Sequence, residues 1–182
     1  MNKNFFKITG ALSFACALCA FLLSFVYESA SQRIRENEEK RITSSIEKLA
    51  PRAKKIELLT SVEDMYRLEN EENQLVGYAF LAKGQGYQGK ITLLGVTGPD
   101  LKYLIGIEVI ESVETPGLGS KIRGEEFKKQ FEGLNISDPL SLIKEKPVKD
   151  NQIKAITGAT VSSKSVVNIL NKRIEQVRQK IN

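Results

Sequence analysis

Histidine and tryptophan are absent from this 182-residue chain, and its two cysteines, Cys16 and Cys19, both fall in an apolar segment near the start. Without histidine there is no Ser-His-Asp or Cys-His constellation and no imidazole ligand for zinc or haem. Two thiols three residues apart share one helix face and are read as small buried hydrophobes rather than metal ligands. The chain is therefore expected to hold no catalytic residue and no metal, so any redox chemistry must come from an organic cofactor. A basic block is missing as well: the net charge is +5, but Lys and Arg are interspersed with Asp and Glu, and aromatics are only 7% of residues. Nucleic-acid recognition calls for a basic stripe with interleaved aromatics, so no nucleic-acid partner is expected.

What is present begins with residues 8–27, twenty positions without a charge. At 1.5 Å rise per residue they span about 30 Å, the thickness of a hydrocarbon core. The run is longer than the usual core of a cleaved signal and lacks a small-x-small cleavage site, which favours a single membrane anchor. Its orientation stays open on charge alone. Lys3 and Lys7 lie before the span while Arg33, Arg35, Lys40 and Arg41 follow it, and a bare Lys/Arg count favours the inverted topology. The domain division expected is a cytoplasmic tip and anchor over 1–27, a linker helix over 28–55, and a folded domain over 56–182. A domain of this size buries roughly 70% of its unfolded surface and needs neither disulfide nor metal to fold.

Within the linker, Ile34, Ile42, Ile46 and Leu49 keep helical spacing until Pro51. Strand patterns follow at 55–59 and 74–81. Two stronger ones, 91–97 and 101–109, are separated by Gly98-Pro99-Asp100 and read as a hairpin. Gly84, Gly86 and Gly89 around Tyr87 suggest a flexible loop before it. A short helix is expected over 124–131, an extended piece between Pro139 and Pro147, and a last strand over 153–156. Val166, Ile169, Leu170, Ile174, Val177 and Ile181 form one stripe of a long C-terminal amphipathic helix. The fold class expected is α+β: a mostly antiparallel sheet flanked by helices, behind a transmembrane helix.

Two segments carry chemistry. Glu114-Thr115-Pro116-Gly117-Leu118-Gly119 combines one fixed φ with two permissive glycines, the makings of a shaped loop. Thr157-Gly158-Ala159-Thr160, followed by Val161-Ser162-Ser163, stands where a strand hands over to the last helix. Unpaired amides and the positive end of the helix dipole make such a place attractive to phosphate. Thr and Ser are also ordinary capping residues, so Thr160 as a plain N-cap is the competing explanation.

The Thr157–Ser163 segment resembles the [Ser/Thr]-Gly-Ala-Thr flavinylation motif of the FMN-binding domain family, and the segment from Glu114 to Gly119 looks like that family's second hallmark. With Gly86-Tyr87-Gln88-Gly89 and the anchor, the whole chain resembles the G subunits of Rnf electron-transport complexes. Lys154 departs from the pattern, standing where many members have Asp six residues before the modified Thr. The resemblance implies covalent FMN on Thr160 through its phosphate, installed by a flavin transferase. Thr157, Gly158 and Ala159 would shape the phosphate turn. Tyr87, Thr115, Leu118, Gly119 and Val161 would line the flavin, Glu114 would bond the flavin or brace the loop, and Lys121 would be a cation near phosphate or ring.

The resemblance also places the N terminus in the cytoplasm and the C-terminal domain outside it, on a single-pass protein of the cell membrane whose partners are the other membrane subunits of the complex. The function implied is electron relay within an ion-translocating ferredoxin:NAD oxidoreductase, a redox subunit with no complete active site of its own. The C subunit of the Na⁺-translocating NADH:quinone reductase resembles the same domain, and another extracytoplasmic flavinylated carrier is a further alternative. From a different class, a membrane-tethered scaffold that never holds flavin fits a Thr160 that only caps a helix.

Overall fold

The computed structural model describes residues 3–181. Helix α1, Lys3–Leu49, opens the chain, and its N-terminal part is long and apolar enough to cross a membrane. The chain divides into two compact units, Met1–Arg41 and Ile42–Asn182. The last two turns of α1 thus lie inside the second unit, where Ile42 and Ile46 are buried while Ile34, in the first, is exposed.

The second unit is built on a six-stranded antiparallel meander in simple chain order: β1 Lys55–Leu58, β2 Met65–Glu69, β3 Leu75–Gln85, β4 Lys90–Thr97, β5 Tyr103–Ser112 and β6 Leu134–Asn135. The α+β class expected from the sequence is the class observed. Side chains alternate across the sheet with period two. Phe80, Ala82, Ile91 and Leu93 therefore pack on one side with Val166, Leu170 and Ile174 of helix α3, Thr160–Ile181. Ala79, Leu81, Leu94 and Val96 pack on the other with Ile42 and Ile46. Both faces being covered, β4 is buried from Ile91 to Thr97, which explains why its sequence is a near-continuous apolar run rather than an alternating one.

The hairpin expected at 91–109 is present. Its turn bonds Gly98 N to Tyr103 O at 3.2 Å, and Asp100 Oδ1 accepts from Lys102 N at 3.1 Å while Leu101 takes φ 54. Strand β2 was not apparent in the sequence, because charges interrupt its short apolar content. The short helix expected over 124–131 is present as helix α2 Glu125–Lys128 running into a 3₁₀ turn Lys129–Phe131, and a separate 3₁₀ turn Gly119–Arg123 precedes it. Two further strands, β7 Ser141–Ile143 and β8 Gln152–Lys154, make a small parallel ribbon.

The loop reading of Gly84 needs correction. Gly84 lies within β3, opposite Ile91, and a Cβ there would sit 2.5 Å from Ile169 Cγ1 of α3. Absence of a side chain lets the helix close onto the sheet, which is a packing role and not a flexible one.

An ion network fastens α2 to the rest. Lys128 donates to Glu108 Oε1 and Oε2 at 2.9 and 2.8 Å, and Lys48 lies 3.3 Å from Glu125 Oε1. Burial pulls the Lys128 ammonium down, but its bonds to Glu108 and Glu125 outweigh that and hold it above its ordinary value of 10.5. Hydrogen bonds from Lys128 and Lys48 hold the Glu125 carboxyl below its ordinary 4.5.

Two outcomes are expected. The Lys128 contribution is complete below pH 10.5 and lost as pH rises through its raised value, whereas that of Glu125 is present above 4.5 and lost as pH falls through its lowered one. Melting temperature against pH should therefore fall at both ends in the native chain, and Lys128→Gln should flatten the alkaline fall. Gly84→Ala should destabilise by about 1–3 kcal/mol through overpacking, with Ile169→Ala recovering part of it in a double-mutant cycle followed by circular dichroism.

Candidate functional site

A β-turn leads into α3. Ala159 N donates to Ile156 O at 3.0 Å, and Gly158, third in the turn, takes φ +80, a conformation that favours glycine. Ser163 fixes the turn from inside the helix: its hydroxyl donates to Ala159 O at 2.9 Å and accepts from Ile156 N at 3.1 Å. Ala159 O also accepts from Ser163 N at 3.0 Å, which makes Ala159 the capping residue. A methyl group cannot cap. Thr160 is the first helical residue rather than the N-cap, so the plain-cap explanation of its hydroxyl fails on geometry. Among the described residues no side chain accepts from the first-turn amides of Thr160, Val161 and Ser162.

The loop after β5 faces this helix start. Thr115 O accepts from Leu118 N and Ser120 N at 3.2 and 3.1 Å, Ser120 Oγ accepts from Gly117 N at 2.9 Å, and Gly117 takes φ +76. From its base Glu114 reaches inward and is buried. Its Oε1 accepts from the amides of Tyr87 and Gln88 at 2.7 and 3.3 Å, and its Oε2 accepts from Ser162 Oγ at 2.7 Å. One carboxylate thereby joins the loop after β3, the loop after β5 and the first turn of α3. The fit leaves no slack: a Cβ on Gly86 would lie 2.2 Å from Glu114 Oε1, and one on Gly119 2.5 Å from Oε2 and 2.7 Å from Ser162 Oγ.

Between these three segments lies a cavity of about 430 Å³ lined by Tyr87, Glu114, Thr115, Leu118, Gly119, Gly158, Ala159, Thr160, Val161 and Ser162. Nine of the site residues expected from the sequence line this cavity: Tyr87, Glu114, Thr115, Leu118, Gly119, Gly158, Ala159, Thr160 and Val161. Tyr87, Leu118 and Val161 are 65%, 48% and 55% exposed, an apolar rim that a soluble surface seldom leaves open without use. Lys121 and Thr157 fall elsewhere. They line a neighbouring cavity with Phe127, Gln130 and Lys154, because the 3₁₀ turn carries Lys121 off the face that holds Gly119. Ser162 is the residue that sequence reasoning missed. Its signal was there: run backwards, the buried stripe of α3 ends on Ser162 and Ser163, two hydroxyls at core positions.

The FMN-binding domain family matches residues 86–175, which contain the whole cavity. The G subunit of the proton-translocating ferredoxin:NAD(+) oxidoreductase complex of Clostridium ljungdahlii is 30% identical over 176 residues, covering 97% of this chain and 93% of that protein. The G subunit of the ion-translocating oxidoreductase complex of Methanosarcina acetivorans is 29% identical over 185 residues, covering 97% and 96%. Among solved structures, the fold is similar to NqrC of Shewanella oneidensis, with TM-score 0.55, 20% identity and coverage of 60% of this chain and 54% of that one. It is also similar to the C subunit of the Na(+)-translocating NADH-quinone reductase of Parabacteroides distasonis, at TM-score 0.53 and 23% identity. Little more than half of each solved chain is spanned, 54% and 57%. The family match over 86–175, on an α+β fold, defines an FMN-binding domain that follows a candidate transmembrane helix in the chain. By sequence the chain belongs to the family of G subunits of ion-translocating oxidoreductase (Rnf) complexes.

The residues present fit FMN. An uncapped helix start with free amides suits a phosphate, the rim offers aromatic and aliphatic side chains for a ring, and the volume lies within the range of ligand sites. Tightness at Gly119 yields a prediction. Gly119→Ala displaces Glu114 or Ser162 and should cost about 1–3 kcal/mol in a denaturation melt. Gly117→Ala, with nothing within 4 Å of its Cβ, should cost only its backbone strain of about 1–2 kcal/mol, and Gly117→Asn should recover part of that where Gly119→Asn does not.

Proposed function

We propose that this chain is the FMN-carrying electron-transfer subunit of a membrane-bound ferredoxin:NAD oxidoreductase that moves ions, with FMN esterified through its phosphate to Thr160. The observation that carries this reading is the uncapped start of α3. An exposed hydroxyl stands there on the first helical residue, next to amides without acceptors and above an apolar-rimmed cavity. Esterification replaces the Thr160 O–H bond by an O–P bond. The flavin donor would be a flavin dinucleotide: its pyrophosphate P–O bond would break as the Thr160 O–P bond forms, the nucleoside monophosphate would leave with the electron pair, and the Thr160 proton would pass to a base of the flavin transferase. Negative charge retained on the phosphate then faces the positive end of a 22-residue helix.

Flavin supplies the electron chemistry when bound, accepting and releasing electrons singly or in pairs. The protein's own residues do the rest. Gly158 and Ser163 set the turn, Glu114 and Ser162 tie together the segments that would surround the ring, and Tyr87, Leu118 and Val161 would cover it. Lys121 and Thr157, lining the adjoining cavity, act at most at its edge.

The anchor belongs to the cell membrane with the N terminus in the cytoplasm, the domain outside it, and the other membrane subunits of the complex as partners. The domain division supported is an anchor over 1–27, a linker helix that hands over to the folded unit, and the FMN-binding domain. A second reading, the C subunit of a Na⁺-translocating NADH:quinone reductase, draws on the fold likeness alone, and the near full-length match to G subunits favours the first.

Intact mass of the full chain, coexpressed with a flavin transferase and exported, should exceed the polypeptide mass by one esterified FMN, with in-gel fluorescence. Thr160→Val should lose both. Flavin mass persisting in Thr160→Val would move the attachment elsewhere, and unmodified native chain would leave a non-covalent binder or a scaffold.

A further inference from the structure

Glu114 is 7% exposed, yet no Lys or Arg among the described residues forms an ion pair with it. Elsewhere the domain neutralises its withdrawn acids. Glu69 has Arg67 at 2.8 Å and Lys55 at 3.4 Å, and Glu108 has Lys128 at 2.8 Å and Lys48 at 3.8 Å. The exception is the carboxylate that lines the cavity beside Thr160. Lys121, the cation that chain order sets nearest that loop, lines the neighbouring cavity instead.

We propose that Glu114 is a positioning residue whose unpaired charge also lowers the reduction potential of FMN held in this cavity. The proposal rests on the reading that FMN occupies that cavity. All three contacts of the carboxylate are donors aimed at it, from Tyr87 N, Gln88 N and Ser162 Oγ, the arrangement that suits an ionised acceptor. Reduction of flavin by two electrons with uptake of one proton adds one negative charge to the ring. The electrons come from a low-potential donor, or from dithionite in the test below. A fixed negative charge in a partly water-excluded cavity opposes that added charge, where a neutral side chain would not. Bracing and charge are separable. Glutamine keeps a carbonyl for the two amides and removes the charge, aspartate keeps the charge on a shorter arm, and Ser162→Ala keeps the charge and strips one donor from it.

The test is a dithionite titration with mediators of the full chain, coexpressed with a flavin transferase and purified in detergent. Absorbance is read on the flavin-bearing fraction of native, Glu114→Gln, Glu114→Asp and Ser162→Ala proteins. Glu114→Gln should raise the potential, by about tenfold in the reduced-to-oxidised ratio at fixed potential, or about 30 mV for a two-electron couple. Glu114→Asp should stay on the native side of that shift, and Ser162→Ala, leaving the carboxylate less screened, should move the potential down. A Glu114→Gln potential equal to or below native overturns the proposal. Should that variant carry no flavin, Ser162→Ala decides: a lower potential supports the proposal, and an unchanged or higher one overturns it. Native chain without flavin by mass and absorbance sinks instead the reading on which this rests, a result distinct from a fully loaded Glu114→Gln that fails to shift.

Discussion

A carboxylate withdrawn from water without a cation has to be held by dipoles, and Glu114 is held by three: two amides of one loop and a hydroxyl of the last helix. Burying an ion this way costs free energy unless its lone pairs are filled, so the three donors cannot drift independently. The consequence spreads outward. Gly86 and Gly119 must lack side chains because the carboxylate fills the space a Cβ would take. Ser162 must present a hydroxyl from the buried side of α3, and the start of α3 is thereby registered against the loop after β5. The cavity is what remains between segments tied to one point.

Around that point the sheet acts as a rigid frame with both faces covered. Helix α3 closes on one face because Gly84 lets Ile169 approach β3, and the final turns of α1 close on the other through Ile42 and Ile46. The loops that carry the site leave the ends of β3 and β5, strands whose positions are fixed by two layers of packing. Loops on such a scaffold can hold permissive conformations, such as those at Gly117 and Gly158, without loosening the rest.

Much of this was legible in the chain. The hairpin at 91–109 declared itself through a turn cluster between apolar runs, and the two motif segments pointed to the residues that line the cavity, from Glu114 to Gly119 and from Gly158 to Val161. The misreadings share one cause, that local sequence does not reveal which face an element turns to its neighbour. Gly84 looked like a loop residue because a close helix–strand approach leaves the same mark as flexibility. Lys121 follows the motif in sequence, and a tight 3₁₀ turn sets it in the neighbouring cavity. Thr160 looked like a possible cap because threonine caps helices, yet the cap position fell one residue earlier, on an alanine with nothing to offer. Ser162 escaped notice since its partner lies 48 residues away.

The order of the strands carries a further consequence, for how the domain comes into being. Because β1 to β6 pair only with sequence neighbours, the sheet can grow hairpin by hairpin as chain becomes available, through contacts that cost little loop closure. Its pocket cannot. One wall belongs to α3, the last element of the chain, and the bond that seals it spans most of the distance from the hairpin to that helix. The receptor for the cofactor therefore depends on a contact between residues 48 apart, whereas each strand of the sheet needs only its neighbour in sequence.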